Sequence, residues 1–300
     1  MVDIPFIRGP RPAYAQAETL SPLITRITAR NPGPFTFTGT GTFLIGRDSV
    51  SLIDPGPDMA EHLNAIESAL DGKHLSHILL THHHADHSAL APRLAKRHKC
   101  NIYGMRPKPT RPDTFSIRLE EGTDPSFNPD IEIRDGDEFS GPDWHLKAVH
   151  TPGHTSNHVC FALAEENTLF SGDHIMGWAT SVVIPPDGDM GAYLASLARI
   201  KHIGFDTIRP THGPAIQETA PFIQAYIGHR LAREAQILDS VKTGHSRIID
   251  IVSHLYTDID KRLYPAAGVS VFAHLLHLID QKKVDTIGPP SLQSEYRFIA

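Results

Sequence analysis

The chain opens on short apolar runs separated by turn residues. Residues 23–28, 42–45 (entered through Gly39-Thr40-Gly41) and 49–54 (entered through Gly46-Arg47-Asp48) predict short strands joined by tight connections, an antiparallel start. After Pro57 the period changes. Met59, Leu63, Ile66 and Leu70 recur at spacings of four, three and four, which predicts an amphipathic helix over residues 57–70. Residues 76–81 form an apolar, buried-type strand that runs straight into a histidine-rich segment, and residues 88–99 resume helical character. The unit is strand, polar loop, helix, with the loop at the strand's C-terminal end, where open α/β sheets place ligands.

Residues 104–130 are rich in proline and polar residues and read as an excursion from a sheet edge. The strand pattern returns at 131–134 and 144–149, then in a hairpin pair at 159–164 and 168–170 around Glu165-Glu166-Asn167; a helix over 191–202 and a strand at 207–209 complete a second half. Two similar α/β halves packed as one α+β sandwich is the architecture this order predicts. Beyond Gly213-Pro214 the pattern is helical: 217–242, 246–256 and 266–283, then a polar end containing Pro289-Pro290. A catalytic domain over 1–235 and a small C-terminal helical unit over 236–300 follow, with the boundary inside the long helix. Val269, Phe272, Leu275, Leu276 and Ile279 form that unit's core-facing stripe.

Composition sharpens the picture only in places. Over 300 residues, 40% hydrophobic and 21% charged is enough for a sizeable core and excludes disordered and fibrous classes. Twenty-eight basic against thirty-four acidic residues, a net charge of −6, argues against a basic protein that coats nucleic acid. Cys100 and Cys160 are too few for a disulfide framework or a thiolate cage, which suits a reducing compartment. The N-terminus has no continuous apolar stretch and no apolar run approaches the roughly 20 residues of a membrane span, so the expected location is cytoplasmic, without a membrane partner. The anomaly is twenty histidines, the residue that is both the near-neutral proton carrier and the commonest metal ligand.

Thr81-His82-His83-His84-Ala85-Asp86-His87 concentrates that chemistry. In an extended or turning loop His82 and His84 point the same way, so the pair can grip one metal, while His83 points to the other side. Asp86 and His87 stand at the next helix's entry, where the turning chain can aim them at a second metal. Further ligands stand downstream, each after a predicted strand and beside Gly or Pro: His154 in Thr-Pro-Gly-His-Thr, Asp173 in Ser-Gly-Asp-His, and His212 in Pro-Thr-His-Gly-Pro. Asp173 is the candidate bridging carboxylate. His83, His150, His158 and His174 are read as structural or hydrogen-bonding residues, and Trp178, Thr180 and Ser181 as positions that either line a pocket or pack in a loop.

This order of residues resembles the metallo-β-lactamase-fold hydrolase superfamily over roughly residues 20–215: Asp54 closing an early strand, the H-x-H-x-D-H run, His154, Asp173 and His212. The resemblance implies an αββα fold with the site at one edge of two sheets. It also implies a metal held by His82, His84 and His154, a second held by Asp86, His87 and His212, and Asp173 bridging them with a water or hydroxide. Asp54 is then an outer residue fixing a loop or ligand. The expected cofactors are two divalent ions, zinc first for a nitrogen and oxygen donor set, with iron and manganese allowed. The expected reaction is hydrolysis, with Asp86 placed to orient the attacking water or take its proton. A cysteine stands at the Asp173 position in the commonest secreted zinc β-lactamases, which argues against antibiotic hydrolysis.

The segment Asn31-Pro-Gly-Pro-Phe-Thr-Phe-Thr-Gly-Thr-Gly-Thr-Phe-Leu-Ile-Gly46 and residues 228–238 are similar to the branch typified by β-lactamase-like protein 2. That branch adds a small winged-helix-like domain, and its animal member cleaves single-stranded RNA; Gly41 departs from the branch's common Asn. The resemblance implies an anionic or ester-type substrate, with a phosphodiester such as single-stranded RNA foremost. Between Ser88 and Pro112, Arg93, Lys96, Arg97, Lys99, Arg106, Lys108 and Arg111 occur with no acidic residue, a run able to attract phosphates. Residues 245–300 balance six basic with six acidic residues, which lacks the footprint of a duplex-binding wing. The alternatives are a thioesterase or lactonase resembling hydroxyacylglutathione hydrolase, and a non-enzymatic winged-helix nucleic-acid binder with a structural metal.

Overall fold

A computed structural model describes residues 3–108, 122–257 and 260–299. The first sheet holds seven strands in chain order: β1 (Ala17–Thr19), β2 (Ile24–Thr28), β3 (Gly41–Ile45), β4 (Ser49–Ile53), β5 (His74–Leu79), β6 (Asn101–Gly104) and β7 (Ile131–Glu132). β1 to β4 are antiparallel, as the opening turns predicted. β4 to β6 are parallel, because α1 (Ala60–Leu70) returns the chain before β5, and α2 (Ala85–Ser88) with α3 (Ala91–His98) returns it before β6.

The second sheet has the order β12-β11-β10-β9-β8, from β8 (Glu138–Ser140), β9 (His145–His150), β10 (Val159–Leu163), β11 (Thr168–Gly172) and β12 (Thr207–Pro210). The helix α4 (Met190–Ile203) makes β12 parallel to β11. β9 and β11 are both antiparallel to β10 and therefore run the same way.

Period-two alternation assigns each side chain to a layer. In β3, Phe43 and Ile45 enter the core between the sheets, where they meet Leu146, Ala148, Phe161 and Phe170, while Leu44 faces the opposite way against Leu63, Ile66 and Leu94 of the outer helices. In β10, Val159, Phe161 and Leu163 point between the sheets and Cys160 points outward. Tyr193, Leu197 and Ile200 of α4 cover that outer face, together with Phe222, Ile223 and Tyr226 of α5 (Thr219–Lys242). The layers are helix, sheet, sheet, helix. Trp144 closes the central core with no exposed surface, its indole N–H donating to Ser49 O at 2.8 Å.

The 24-residue α5 belongs to two cores. Beyond the residues it lends to the sandwich, Ile237 and Val241 join a fourth cluster with α6 (Ile248–Leu255), α7 (Tyr264–Asp280) and the antiparallel hairpin of β13 (Val284–Thr286) and β14 (Tyr296–Phe298). Two helices and a hairpin packed on α5 make the C-terminal unit a small winged helix. The stretch Lys261–Asp280 is long and apolar enough to span a membrane by length and composition, which the absence of a 20-residue apolar run had not led us to expect. Half of it is buried.

Two further differences from the sequence pattern have local causes. The helix predicted over 88–99 is divided: α2 stops at Ser88, and Pro92 sits in the first turn of α3, where its missing N–H is harmless. Of the excursion at 104–130, residues 109–121 lie outside those described, and its return docks on the histidine loop, with Ala85 N–H donating to Gly122 O and Asp124 N–H to His83 O.

Candidate metal centre

Five strand ends converge at one edge of the sandwich. Asp54 follows β4, His82 and His84 follow β5, His154 follows β9, Asp173 follows β11 and His212 follows β12, while Asp86 and His87 lie in α2. The two sheets are tied there by Gly41 N–H to Thr211 O (2.8 Å), while Thr211 N–H to Gly172 O (3.2 Å) extends the pairing of β12 with β11 within the second sheet. Glycine is needed beside two of these residues. At Gly153, in a positive-φ conformation (143°), a Cβ would lie 2.4 Å from the Tyr193 backbone; at Gly172 (φ 52°) it would lie 2.6 Å from His158 Nε2.

The seven predicted ligands come together in three overlapping groups of donor atoms: His82, His84 and His154; His82, His87 and Asp173; and Asp86, His87 and His212, the atoms of each group lying within 4.8 Å of one another. His154 Nε2 is 3.2 Å from His84 Nδ1, and His212 Nε2 is 3.1 Å from Asp86 Oδ2. Asp173 lies between the outer groups. Its Oδ2 is 3.5 Å from His87 Nε2 and 3.8 Å from His154 Nε2, and its Oδ1 is 3.4 Å from His212 Nε2.

Outer hydrogen bonds set the imidazole tautomers. The Nδ1–H of His154 donates to Val182 O (2.7 Å) and that of His212 to Gly39 O (3.2 Å), leaving each Nε2 as a lone-pair donor facing the cluster. His87 Nδ1 is 2.8 Å from Asp54 Oδ2. Asp54 itself belongs to none of the three donor groups. Its carboxylate, fully buried, also accepts from Thr81 N–H (2.8 Å), Thr81 Oγ1 (2.8 Å) and Thr211 Oγ1 (3.1 Å). It fastens the ends of β4, β5 and β12 at the position that orients His87.

The residues fit metal ions on their own evidence of partnering. His82 Nε2 and Asp86 Oδ1 are buried with no hydrogen-bond partner among the described residues, an expensive arrangement unless a cation meets them. Burial, then the neighbouring imidazoles of His87, His84 and His154, hold His82 well below the ordinary range, so it is neutral. Burial opposes ionisation of Asp173, yet His212 and His87 keep its carboxyl well below the usual value, so it is an anion. Neutral imidazole and ionised carboxylate are the forms that ligate metals; burial works against the charge on His87 and His212, but the carboxylates of Asp86 and Asp173 raise both imidazoles, and a bound cation would displace those protons. Two divalent ions, when bound, lower the pKa of water and polarise a substrate oxygen.

Beside the donors lies a cavity of about 200 Å³, walled by Pro34, Phe35, Met176, Trp178, Ala179, Thr180 and Val182 and floored by His84, Asp86, His154, Asp173 and His212. Phe37 stacks on Trp178 with centroids 4.8 Å apart and planes inclined by 12°, which fixes the indole.

The chain matches the metallo-beta-lactamase superfamily over residues 36–212, and the beta-lactamase associated winged helix domain over 248–289. This chain belongs to the metallo-β-lactamase superfamily. Among its relatives, Beta-lactamase-like protein 2 homolog of Caenorhabditis elegans is 35% identical over 252 residues, covering 80% of this chain and 79% of that protein. Atrochrysone carboxyl ACP thioesterase of Claviceps purpurea is 31% identical over 254 residues, covering 82% and 76%. The crystal structure of a beta-lactamase domain protein from Burkholderia ambifaria is 19% identical, with a TM-score of 0.77 over 96% of this chain and 95% of that one, a likeness of fold. The chain is thus a hydrolase-family enzyme of this fold carrying a winged helix, as the resemblance implied, and its His and Asp clusters are consistent with a dinuclear metal site.

The other histidines divide by what they touch. His83 points away from the donor groups, its Nδ1 2.8 Å from Asn157 Oδ1. His158 is buried between Thr151 Oγ1 (2.9 Å) and the Asp173 N–H, which donates to its Nε2 (3.2 Å), so it holds the carboxylate's backbone. His174 turns away toward the Tyr193 ring, and its burial pushes the imidazole down to about 3. His150 Nε2 meets Ser156 O at 3.1 Å. Trp178 and Thr180 line the cavity; Ser181 does not, its hydroxyl donating to His174 O (2.8 Å). Sequence reasoning passed over Thr81, Thr211 and the carbonyls of Gly39 and Val182. The threonines stand next to ligands in Thr81-His82 and Thr211-His212 and were findable; backbone carbonyls carry no residue signature. Phe35 and Met176 gave no periodic signal.

Proposed function

We propose that this chain is a dinuclear-metal hydrolase of esters or thioesters with an apolar acyl group, using zinc. The observation that carries the reading is the cavity wall: Pro34, Phe35, Met176, Trp178 and Val182 surround the donor groups, and among the described residues no lysine or arginine lines the cavity. An apolar acyl chain gains from burial there, whereas a phosphodiester strand finds no basic contact among the described lining residues. Kinship with acyl carrier protein thioesterases supports a carbonyl substrate. The imidazole and carboxylate donors favour zinc, with iron and manganese compatible. Asp86, 3.4 Å from Thr40 Oγ1 and 3.1 Å from His212 Nε2, is held where it can orient a water or take its proton.

Three arginines of the basic run after the metal loop already have protein partners, whereas Lys96, Lys99 and Lys108 make no ion pair among the described residues. Arg93 pairs with Asp58, Arg97 Nη1 lies 3.2 Å from Glu67 Oε1, and Arg106 Nη1 bonds Asn128 Oδ1 at 3.0 Å; Arg111 lies outside the described residues. Single-stranded RNA, the substrate suggested by the branch resemblance, is therefore the rival that the test must separate.

The decisive experiment compares, on zinc-loaded protein, benzoyl and acetyl thioesters of N-acetylcysteamine, a lactone, S-lactoylglutathione, bis-p-nitrophenyl phosphate and single-stranded RNA. The benzoyl thioester should be preferred to the acetyl by about tenfold in kcat/KM, as expected when a hydrophobic pocket adds about 1–3 kcal/mol of contact. Trp178→Ala should remove that preference through KM. Faster cleavage of RNA than of any ester, weakened by charge reversal at Arg93, Lys96 and Arg97, overturns the proposal in favour of the phosphodiester reading.

A further inference from the structure

One wall of the cavity and one ligand depend on a single loop. Residues 174–182 supply Met176, Trp178, Ala179, Thr180 and Val182 to the cavity, and the Val182 carbonyl accepts the Nδ1–H of His154. The loop has no regular secondary structure of its own to hold it. Its backbone polar groups are instead met by side chains from outside.

Two of these come from α5, one helical turn apart and hence on one face. The Tyr226 hydroxyl, fully buried, accepts from Met176 N–H (3.3 Å) and lies against the carbonyls of Met176 (2.5 Å) and Ala179. Arg230, 6% exposed, donates from Nη2 to Ser181 O, and its guanidinium lies over the Tyr193 ring with Cζ 5.3 Å from the centroid. The peptide following Ser181 leads directly to the carbonyl that orients His154. One turn further along α5, Glu234 turns the other way in function: its carboxylate accepts from His277 Nδ1 (2.7 Å) and His274 Nδ1 (3.3 Å) on α7 of the winged helix and from Nε2 of Gln281 (3.3 Å), the C-cap of that helix. Tyr226, Arg230 and Glu234, at a spacing of four, connect the C-terminal unit to the loop at the metal centre.

We infer that Tyr226 and Arg230 are positioning residues for the catalytic site, setting the cavity wall and the His154 imidazole through loop 174–182, and that Glu234 braces them against the winged helix. The C-terminal unit then has a task in catalysis without touching substrate. The inference rests on His154 as a metal ligand, not on the choice of substrate. Arg230 acts on the peptide next to the His154 acceptor, so its loss should weaken metal binding. Tyr226 acts on the part of the loop that carries Met176 and Ala179, so loss of its hydroxyl should raise KM.

The test measures zinc affinity by competition with a chromogenic chelator, alongside melting temperature and steady-state kinetics, for the full-length wild type, Arg230→Gln, Arg230→Lys, Tyr226→Phe and Glu234→Gln. For Arg230→Gln the weaker of two zinc affinities should fall about 10- to 100-fold, the usual effect of losing an outer partner. Arg230→Lys, which keeps a donor, should recover part of it. Tyr226→Phe, which keeps the packed ring and is the variant least at risk of misfolding, should raise KM about three- to tenfold with little change in kcat. Glu234→Gln should show a weaker form of the Arg230→Gln effect. A wild type that binds fewer than about two zinc ions overturns the metal assignment and this inference with it. A wild type that binds two, with variants that lower only the melting temperature and leave zinc affinity and KM unchanged, overturns this inference alone.

Discussion

Asp54→Asn is the sharpest perturbation of the centre, because it changes hydrogen-bond polarity at nearly constant shape. The wild-type carboxylate accepts four bonds: Thr81 N–H on Oδ1, and Thr81 Oγ1, Thr211 Oγ1 and His87 Nδ1 on Oδ2. An amide has one acceptor and one donor end. With its NH2 at the Oδ2 position it opposes the His87 Nδ1–H, and relief requires the imidazole to shift its proton to Nε2, the atom that faces Asp86 and Asp173. With the amide flipped, NH2 opposes the Thr81 N–H, which has no freedom to reorient. Either orientation leaves a donor against a donor at a fully buried site, a cost of about 1–3 kcal/mol. A tenfold change in an equilibrium is about 1.4 kcal/mol, so the affected metal should bind about 10- to 100-fold more weakly, as found for outer partners of histidine ligands generally. The assay is metal content by mass spectrometry after dialysis against graded chelator, with the folded fraction followed by circular dichroism. A folded Asp54→Asn protein that retains metal like wild type would refute the claim that this carboxylate fixes His87 for ligation.

Three further outcomes are expected. His84→Ala and Asp173→Ala should each reduce bound metal below two equivalents and abolish hydrolysis; undiminished turnover in either would remove it from the centre. Chelation should lower the melting temperature of wild type, since a ligand at a thousandfold excess over its Kd stabilises the folded state by about 4 kcal/mol, and a transition insensitive to chelator would count against resident ions. Burial pushes the His62 imidazole down to about 4 from 6.5, against smaller upward effects of the Pro55 backbone and Glu61. The folded state therefore resists its protonation, and stability present above pH 6.5 is lost as pH falls toward 4, up to about 3 kcal/mol at roughly 1.4 kcal/mol per unit. His62→Gln should show a shallower stability slope across that window in urea titrations, and an unchanged slope would assign the acid sensitivity elsewhere.

What the sequence made legible follows from how the fold stores information. Apolar alternation gave β3 and β10 their layers because each strand is buried on both faces by different partners, so every position carries a packing constraint. The ligands were legible for another reason: they sit at the ends of strands that run the same way, beside glycines that a side chain would displace, so chemistry and turn signals coincide at His154 and Asp173. The elements that escaped notice lack such constraints. β1 is exposed along its three residues, β8 buries only Phe139, and β13 and β14 bury one residue each, so pairing with neighbours rather than pattern makes them strands. β6 falls between the helix expected over 88–99 and the excursion expected from 104, a stretch too short to show a pattern of its own.

The same distinction bears on how the basic run is read. Seven positive charges without an acidic one is a statement about neighbours in sequence, whereas charge is balanced among neighbours in space. Asp58 and Glu67 stand on or before α1, some thirty residues upstream, and pair across the helical layer with Arg93 and Arg97 of α3. Exposed pairs of this kind contribute roughly 0–1 kcal/mol to stability, but they change what a substrate meets, because each arginine already faces a carboxylate. By contrast the cavity's apolar character was invisible in the sequence: Phe35, Met176 and Trp178 come from two loops about 140 residues apart and meet only because β3 and β12 are tied at Gly41 and Thr211. Under the proposed function, substrate preference resides where sequence pattern says least, in loops held by partners from other elements. Zinc affinity and acyl preference should accordingly respond to substitutions on α5 that touch neither metal nor substrate.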